Sequence, residues 1–255
     1  MSQFIASVNT ALSFSGTSQS VTLPAEILTG DLITITVMHR SALTTPAGWS
    51  LGGTSTATTG LAQQTSILYK FSADGTEAGA SQSVTQADNA RLVLCVQVFR
   101  GIASQTPTLL NDVLDETDWP WEANTGALSN PNVIIYGVSN ETANTSPATT
   151  TWTVSSGLKI TSINGSTDAR LVSGYGSVDE AGISINVSSD IVSVTATGLV
   201  LGFEADAIES FPRVNQLLLN VAITAVPEEA PARVNQLLLN VGIRQRGRRL
   251  TITTD

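Results

Sequence analysis

The sequence predicts an all-β chain: an antiparallel β-sandwich, jelly-roll-like body followed by a C-terminal two-strand attachment arm. Three observations predict it. Hydrophobic residues alternate with period two along the first two hundred positions. Ser and Thr fill 28 and 33 of the 255 positions, while charged residues make up only 13%, against roughly 25% in ordinary soluble domains. Thr and Val suit a pleated, half-buried surface and Ser suits turns, so this composition favours strands. Finally, no segment of ten or more residues carries a 3.6-residue period bounded by helix caps.

Taken in order, the alternation predicts strands over 4–12, 31–39, 64–71, 91–99 and 132–138, then 152–154, 158–163, 170–175, 183–187 and 192–203. Turn-forming clusters separate them, such as Pro46-Ala47-Gly48, Ala73-Asp74-Gly75, Asn164-Gly165 and Glu180-Ala181-Gly182. The stretch 109–128 breaks the alternation and is expected to form a long irregular loop. These strands define a body over residues 1–206, long enough for one large all-β domain or two smaller ones.

Residues 207–255 read as an arm. The nine residues RVNQLLLNV occur at 213–221 and again at 233–241, joined by the Pro-rich spacer Pro227-Glu228-Glu229-Ala230-Pro231. Leu217, Leu219 and Val221 in the first copy, and Leu237, Leu239 and Val241 in the second, fall on one face at period two. Arg213 and Arg233 open the copies. Different slots in one core normally demand different side chains, so identical strands point to two equivalent docking grooves. Arg244, Arg246, Arg248 and Arg249 follow; residues 1–243 hold the other 8 basic residues against 20 acidic ones, a net of −12. A basic tail beside an acidic body favours an acidic neighbouring surface such as another copy of the chain, and disfavours nucleic acid.

Chemistry is sparsely supplied. One cysteine, Cys95, and one histidine, His39, make neither a disulfide nor a Cys/His zinc site. Both lie in apolar runs, where a strand residue is the expected reading. There is no GxxxxGK[ST] loop and no strand–GxGxxG–helix unit, so no cofactor is expected. The apolar runs are too short to span a bilayer as a helix, and neither membrane attachment nor a secretion signal is expected. Trp119 and Trp121, with Asp115 and Asp118 beside them, form the best ligand loop for a sugar or a calcium ion, although the acidic residues do not follow the DxDxDG order. Glu204-Ala205-Asp206-Ala207-Ile208-Glu209 spells ExDxxE, a layout of retaining glucanases. It sits at the end of the body without an aromatic platform, so no catalytic residue is assigned.

Several motifs together resemble a β-sandwich module of tailed-bacteriophage virion proteins. Val21-Thr22-Leu23-Pro24-Ala25 with Thr29-Gly30-Asp31-Leu32-Ile33 resembles its "VTVPAG…GDLLV" opening. Thr45-Pro46-Ala47-Gly48-Trp49-Ser50 looks like its "PPAGWT" turn, and Ile67-Leu68-Tyr69-Lys70-Phe71 like its "YYKVA" strand. Val98-Phe99-Arg100-Gly101-Ile102 with Gln105-Thr106-Pro107 is similar to "YRGVD…TP", and the RVNQLLLNV copies to the "ARVSQLVLEV" strand that ends many phage structural proteins. The matches keep order and spacing over about residues 1–140. The resemblance implies a non-enzymatic structural protein of the virion, assembled in the host bacterial cytoplasm. Its expected partners are copies of itself and other virion proteins. The alternative is a carbohydrate-binding module or glycosidase acting on host surface glycans.

Overall fold

The computed structural model describes residues 3–10, 13–57, 62–103, 106–111, 114–115, 121–124, 132–141, 152–155, 157–165, 169–178, 184–189 and 195–204. All of them lie within one compact unit, Met1–Phe211. The regular elements among these residues are strands, and every pairing is antiparallel. The all-β, antiparallel sandwich expected from the sequence is therefore present. The proposed arm, with Arg213, Leu217, Leu219, Val221, Arg233, Leu237, Leu239, Val241 and the tail arginines, lies outside the described residues, as does the expected boundary at 206.

The first half contains β1 (Gln3–Asn9), β2 (Ser13–Thr22), β3 (Leu32–His39), β4 (Leu43–Thr44), β5 (Ser50–Thr56), β6 (Gln64–Phe71) and β7 (Ser81–Arg100). A wide sheet runs β1-β7-β3-β6-β5. The twenty-residue β7 serves two layers: residues 91–100 pair with β3 and β1, whereas residues 81–90 carry most of the pairing to β2 and all of it to β4. That second, narrow layer covers the outer face of the wide sheet. Ile33, Ile35, Val37, Leu68, Leu94, Val96 and Val98 from the sheet meet Val21 and Val84 from the cover in one buried cluster.

The second half contains β8 (Thr108–Asn111), β9 (Leu114–Asp115), β10 (Trp121–Asn124), β11 (Asn132–Glu141), β12 (Trp152–Val154), β13 (Leu158–Gly165), β14 (Ala169–Val178), β15 (Ser184–Ser189) and β16 (Thr195–Glu204). Its wide sheet is β13-β14-β11-β16-β8, with β9 also on β16, and its narrow sheet is β10-β15-β12. Apart from the small β9, this is the first half again. β8, β10, β11, β12, β13 and β14 repeat β1 to β6, and β15 and β16 repeat the two parts of β7. In each half the first, eighth, third, sixth and fifth positions form the wide sheet, and the second, seventh and fourth the narrow one. Eight strands wound this way make a jelly roll, here with the fifth strand on the wide sheet. The body is thus two jelly rolls in tandem.

The two wide sheets pack face to face, and their contacts are reciprocal. By strand register, Leu32, Thr34, Thr36 and Met38 of β3 correspond to Val133, Ile135, Gly137 and Ser139 of β11. Tyr69 corresponds to Tyr175, and Phe99 to Phe203. The Phe99 ring meets Tyr175 edge-on at 5.5 Å and 76°, and Phe203 meets Tyr69 at 5.8 Å and 74°. The extra residue of the bulge in β5, Gly52, packs so tightly on Leu201 that a Cβ there has no room. Its counterpart Thr161, in the bulge of β13, accepts a hydrogen bond from Gln97, the counterpart of Leu201. Gly137 packs on its own counterpart, Thr36. A contact between equivalent positions lies on the axis relating the halves, so the interface is a pseudo-twofold, isologous one.

The symmetry breaks in chemistry. On one side of the axis Met38, Val93, Cys95, Ala169 and Leu171 make an apolar cluster. The positions equivalent to Met38, Val93, Ala169 and Leu171 are Ser139, Thr197, Gln63 and Thr65, all buried. Gln63 Nε2 donates to Ser139 Oγ at 2.6 Å, and the hydroxyls of Thr65 and Thr197 lie 2.7 Å apart.

The sequence reading missed β2, β5 and the front of β7, and the expected loop over 109–128 in fact contributes to β8 and contains β9 and β10. These segments are poor in alternating apolar residues, and their pairing rests on the partner strand's backbone.

The axis contact yields a prediction. Gly137→Ala drives a methyl into Thr36 Cγ2 and should destabilise the fold by about 1–3 kcal/mol, the range for overpacking. Thr36→Ser removes that methyl and keeps the hydroxyl that meets Ser173 Oγ at 3.1 Å, so the double variant should recover most of the loss. Urea unfolding of the three variants measures both effects.

Candidate functional site

The motifs that resemble the virion module converge on structural contacts. Asp31, following Gly30, is buried, and Arg100, preceding Gly101, grips it with two hydrogen bonds: Nε to Oδ1 at 2.8 Å and Nη2 to Oδ2 at 2.7 Å. The Leu28 amide donates to the same carboxylate at 2.8 Å, and Arg100 Nη2 also donates to the Glu26 carbonyl at 3.1 Å. The pair ties the loop before β3 to the end of β7. Pro46–Trp49 closes a turn with the Trp49 amide on the Pro46 carbonyl at 3.1 Å and Gly48 at φ 79°, the type II geometry that favours glycine in its third place. Trp49 is buried in the first-half core and donates its indole N–H to Gln82 Oε1 at 2.9 Å. The buried indole thus anchors the turn on the core.

His39 and Cys95 lie on opposite faces of the first wide sheet, so they form no catalytic pair: Cys95 faces the other half, and His39 points into the first jelly roll. His39 Nδ1 must donate to the Ser41 carbonyl at 2.8 Å, which leaves Nε2 to accept from the Ser66 hydroxyl, also at 2.8 Å. Ser66 in turn accepts from Thr54 at 2.7 Å. His39 and Ser66 are both fully enclosed, so this Ser–His contact has no route to a substrate. It satisfies buried polar groups.

Among the described residues a groove of about 410 Å³ opens where the edge strands β1 and β13 stack. Phe4, Phe99, Val133 and Tyr175 form its apolar floor, and Gln3 and Lys159 its polar rim. Phe4 stacks on Tyr175 at 4.9 Å, and Lys159 Nζ sits 5.9 Å from the same ring. No sequence pattern marks this groove, because it is made by elements from both halves.

The expected ligand loop is not brought together among the described residues. Trp121 begins β10 and Asp115 ends β9, while Trp119 and Asp118 lie outside the described residues. Glu204, exposed at the end of β16, is the described member of ExDxxE; Asp206 and Glu209 lie outside. Among the described residues no group of three or more His, Cys, Asp or Glu side chains converges as a metal site, and no helix is long and apolar enough to cross a membrane. Comparison with family models, curated proteins and solved structures finds no match to this chain.

The buried histidine gives a pH prediction. Burial lowers the His39 pKa from 6.5 to about 4, against the opposing hydrogen bond to Ser41. The folded state thus binds this proton less readily than the unfolded chain. The associated stability is complete above about pH 6.5 and is lost as pH falls towards 4, by up to roughly 3 kcal/mol at about 1.4 kcal/mol per unit. Unfolding free energy measured between pH 7 and pH 4 should fall more steeply for the native chain than for His39→Gln. Parallel slopes would show that the imidazole does not titrate this way.

Proposed function

We propose that this protein is a non-enzymatic structural component of a tailed-phage virion, with a tandem jelly-roll body and a C-terminal arm that docks by β-strand addition. One observation carries the reading. All eight strand positions of both jelly rolls are filled before residue 205, so the duplicated RVNQLLLNV segments are surplus to those positions. Surplus strands with one apolar face are suited to a partner's sheet. The ordered virion-module motifs support the same reading, and three of them form the Asp31–Arg100 tie and the Trp49 turn. The partners are other copies and other virion proteins, and the site of action is the particle.

The test is incorporation into particles. Leu237→Asp with Leu239→Asp places charge on the apolar face of the second strand. The variant should remain folded by circular dichroism yet enter particles far less than the native chain in a mixed expression. Equal incorporation would remove the attachment role. Glycan-array binding that depends on Trp119 or Trp121, or polysaccharide hydrolysis lost in Glu204→Gln, would replace the structural reading with the carbohydrate one.

A further inference from the structure

The chain leaves both jelly rolls at the same end of the layer between the wide sheets. After β7 it passes through Ile102, buried in the cluster that holds Phe99, Val133 and Phe203, and the Ala103 amide donates to the Glu204 carbonyl at 3.0 Å. The exit from the first half is thus sealed against the last residue of β16. Because Phe99 corresponds to Phe203, Arg100 corresponds to Glu204. A chain leaving β16 by the equivalent path runs towards Arg100, which pairs with Gln3 on the rim of the β1–β13 groove.

The equivalent seam on the other side is closed. Leucines of β8 and β16 fill the space over β5, where a Cβ on Gly53 would come within 3.1 Å of Leu199 and 3.2 Å of Leu109. At the β1–β13 seam, Phe4 and Tyr175 are only half-buried and Lys159 is exposed. Among the described residues the ion pairs are Lys70–Glu77 and Arg100–Asp31, neither of which uses Lys159. The groove therefore offers an aromatic floor beside one cation, and it suits a segment that carries large apolar side chains together with a carboxylate.

We propose that residues 205–211 of the same chain close this groove, with Ile208 and Phe211 on the aromatic floor and Glu209 against Lys159. Three observations select this occupant. The compact unit that holds the groove extends to Phe211, past the end of β16 at Glu204. The reach is sufficient: β13 lies three strand spacings from β16 in the sheet, about 14 Å, and the five residues from 205 to 209 span up to about 17 Å when extended. The chemistry fits as well. Ile208 and Phe211 are the large apolar side chains of the segment, and Glu209 stands between them. The RVNQLLLNV copies contain no aromatic residue and open with Arg213 and Arg233, which Lys159 repels. The contact gives Glu209 of the ExDxxE run an anchoring role and fixes where the following residues depart from the body. It rests on the body's own geometry and holds independently of the virion reading.

The experiment is disulfide trapping in the full chain. Lys159→Cys with Glu209→Cys should oxidise to an intrachain disulfide, read by non-reducing electrophoresis and mass, while the buried Cys95 stays reduced. The control pairs Glu209→Cys with Ser50→Cys, at the exposed position equivalent to Lys159 on the other seam. Docking should make the Lys159 pair close at least about tenfold faster than the control, because it raises the effective concentration of one thiol at the other. Equal rates, or no disulfide in either variant, overturn the proposal. A disulfide-linked dimer would put the segment in a neighbour's groove and overturn the same-chain assignment. Independently, Ile208→Asp with Phe211→Asp should speed amide exchange several-fold at the starts of β1 and β13 and leave β3 unchanged. Unaltered exchange at those two places would show an uncovered floor and overturn the proposal as well. Neither readout involves particles, so failure here leaves the virion reading standing, and failure of the incorporation test leaves this contact standing.

Discussion

Everything in the body depends on burying both faces of two strands at once. All eight residues of β3 are buried, and so are the described side chains of β11 from Val133 to Ser139. A strand so enclosed needs a sheet neighbour on each side and a packed layer above and below. Each wide sheet therefore needs its narrow cover on one face and the opposite jelly roll on the other. The inner layer carries two of the three largest fully buried side chains, Phe99 and Phe203, each worth roughly 1.5–3 kcal/mol by transfer. The edge-on contacts to Tyr175 and Tyr69 add about 0.5–1.5 kcal/mol apiece. Neither half retains this layer alone, which is why two jelly rolls form one compact unit.

An isologous interface built from duplicated halves faces a specificity problem, because each half presents a surface complementary to a copy of itself. The split between the Met38–Leu171 cluster and the Gln63–Thr197 hydroxyl network addresses it. Pairing a first half with another first half would set Met38 and Val93 against Gln63 and Thr65. That buries the amide and hydroxyl without the Ser139 and Thr197 partners they have in the native pairing. A buried polar group left without its partner costs about 1–3 kcal/mol, so the mismatched pairing is disfavoured by repulsion as much as the native one is favoured by contact.

The strands legible in the sequence were those with a buried face. Leu32–His39 and Gln64–Phe71 stand within a residue of their expected bounds, because both are apolar runs of a wide sheet enclosed by a layer on each face, and Trp152–Val154 in the narrow sheet also stands at its expected bounds. Ser13–Thr22 and Ser50–Thr56 were illegible for the opposite reason. Hydroxyls and glycines carry no period, and at Gly52 Leu201 occupies the space a side chain would take. The duplication was illegible as well. Equivalent positions share a role but not a residue type, as Met38 and Ser139 or Gln97 and Leu201 illustrate. Only pairing register exposes them.

The same contrast separates the body from the arm. In the body, two copies of one topology have diverged until corresponding residues differ in polarity, since each must fit neighbours that also changed. In the proposed arm, two copies of one segment keep nine identical residues. Core slots in diverged halves would have pulled those copies apart in the same way. Identity therefore favours receptors that resemble each other in backbone more than in side chain. Main-chain hydrogen bonding at a sheet edge, with a generic apolar face beneath, has that property.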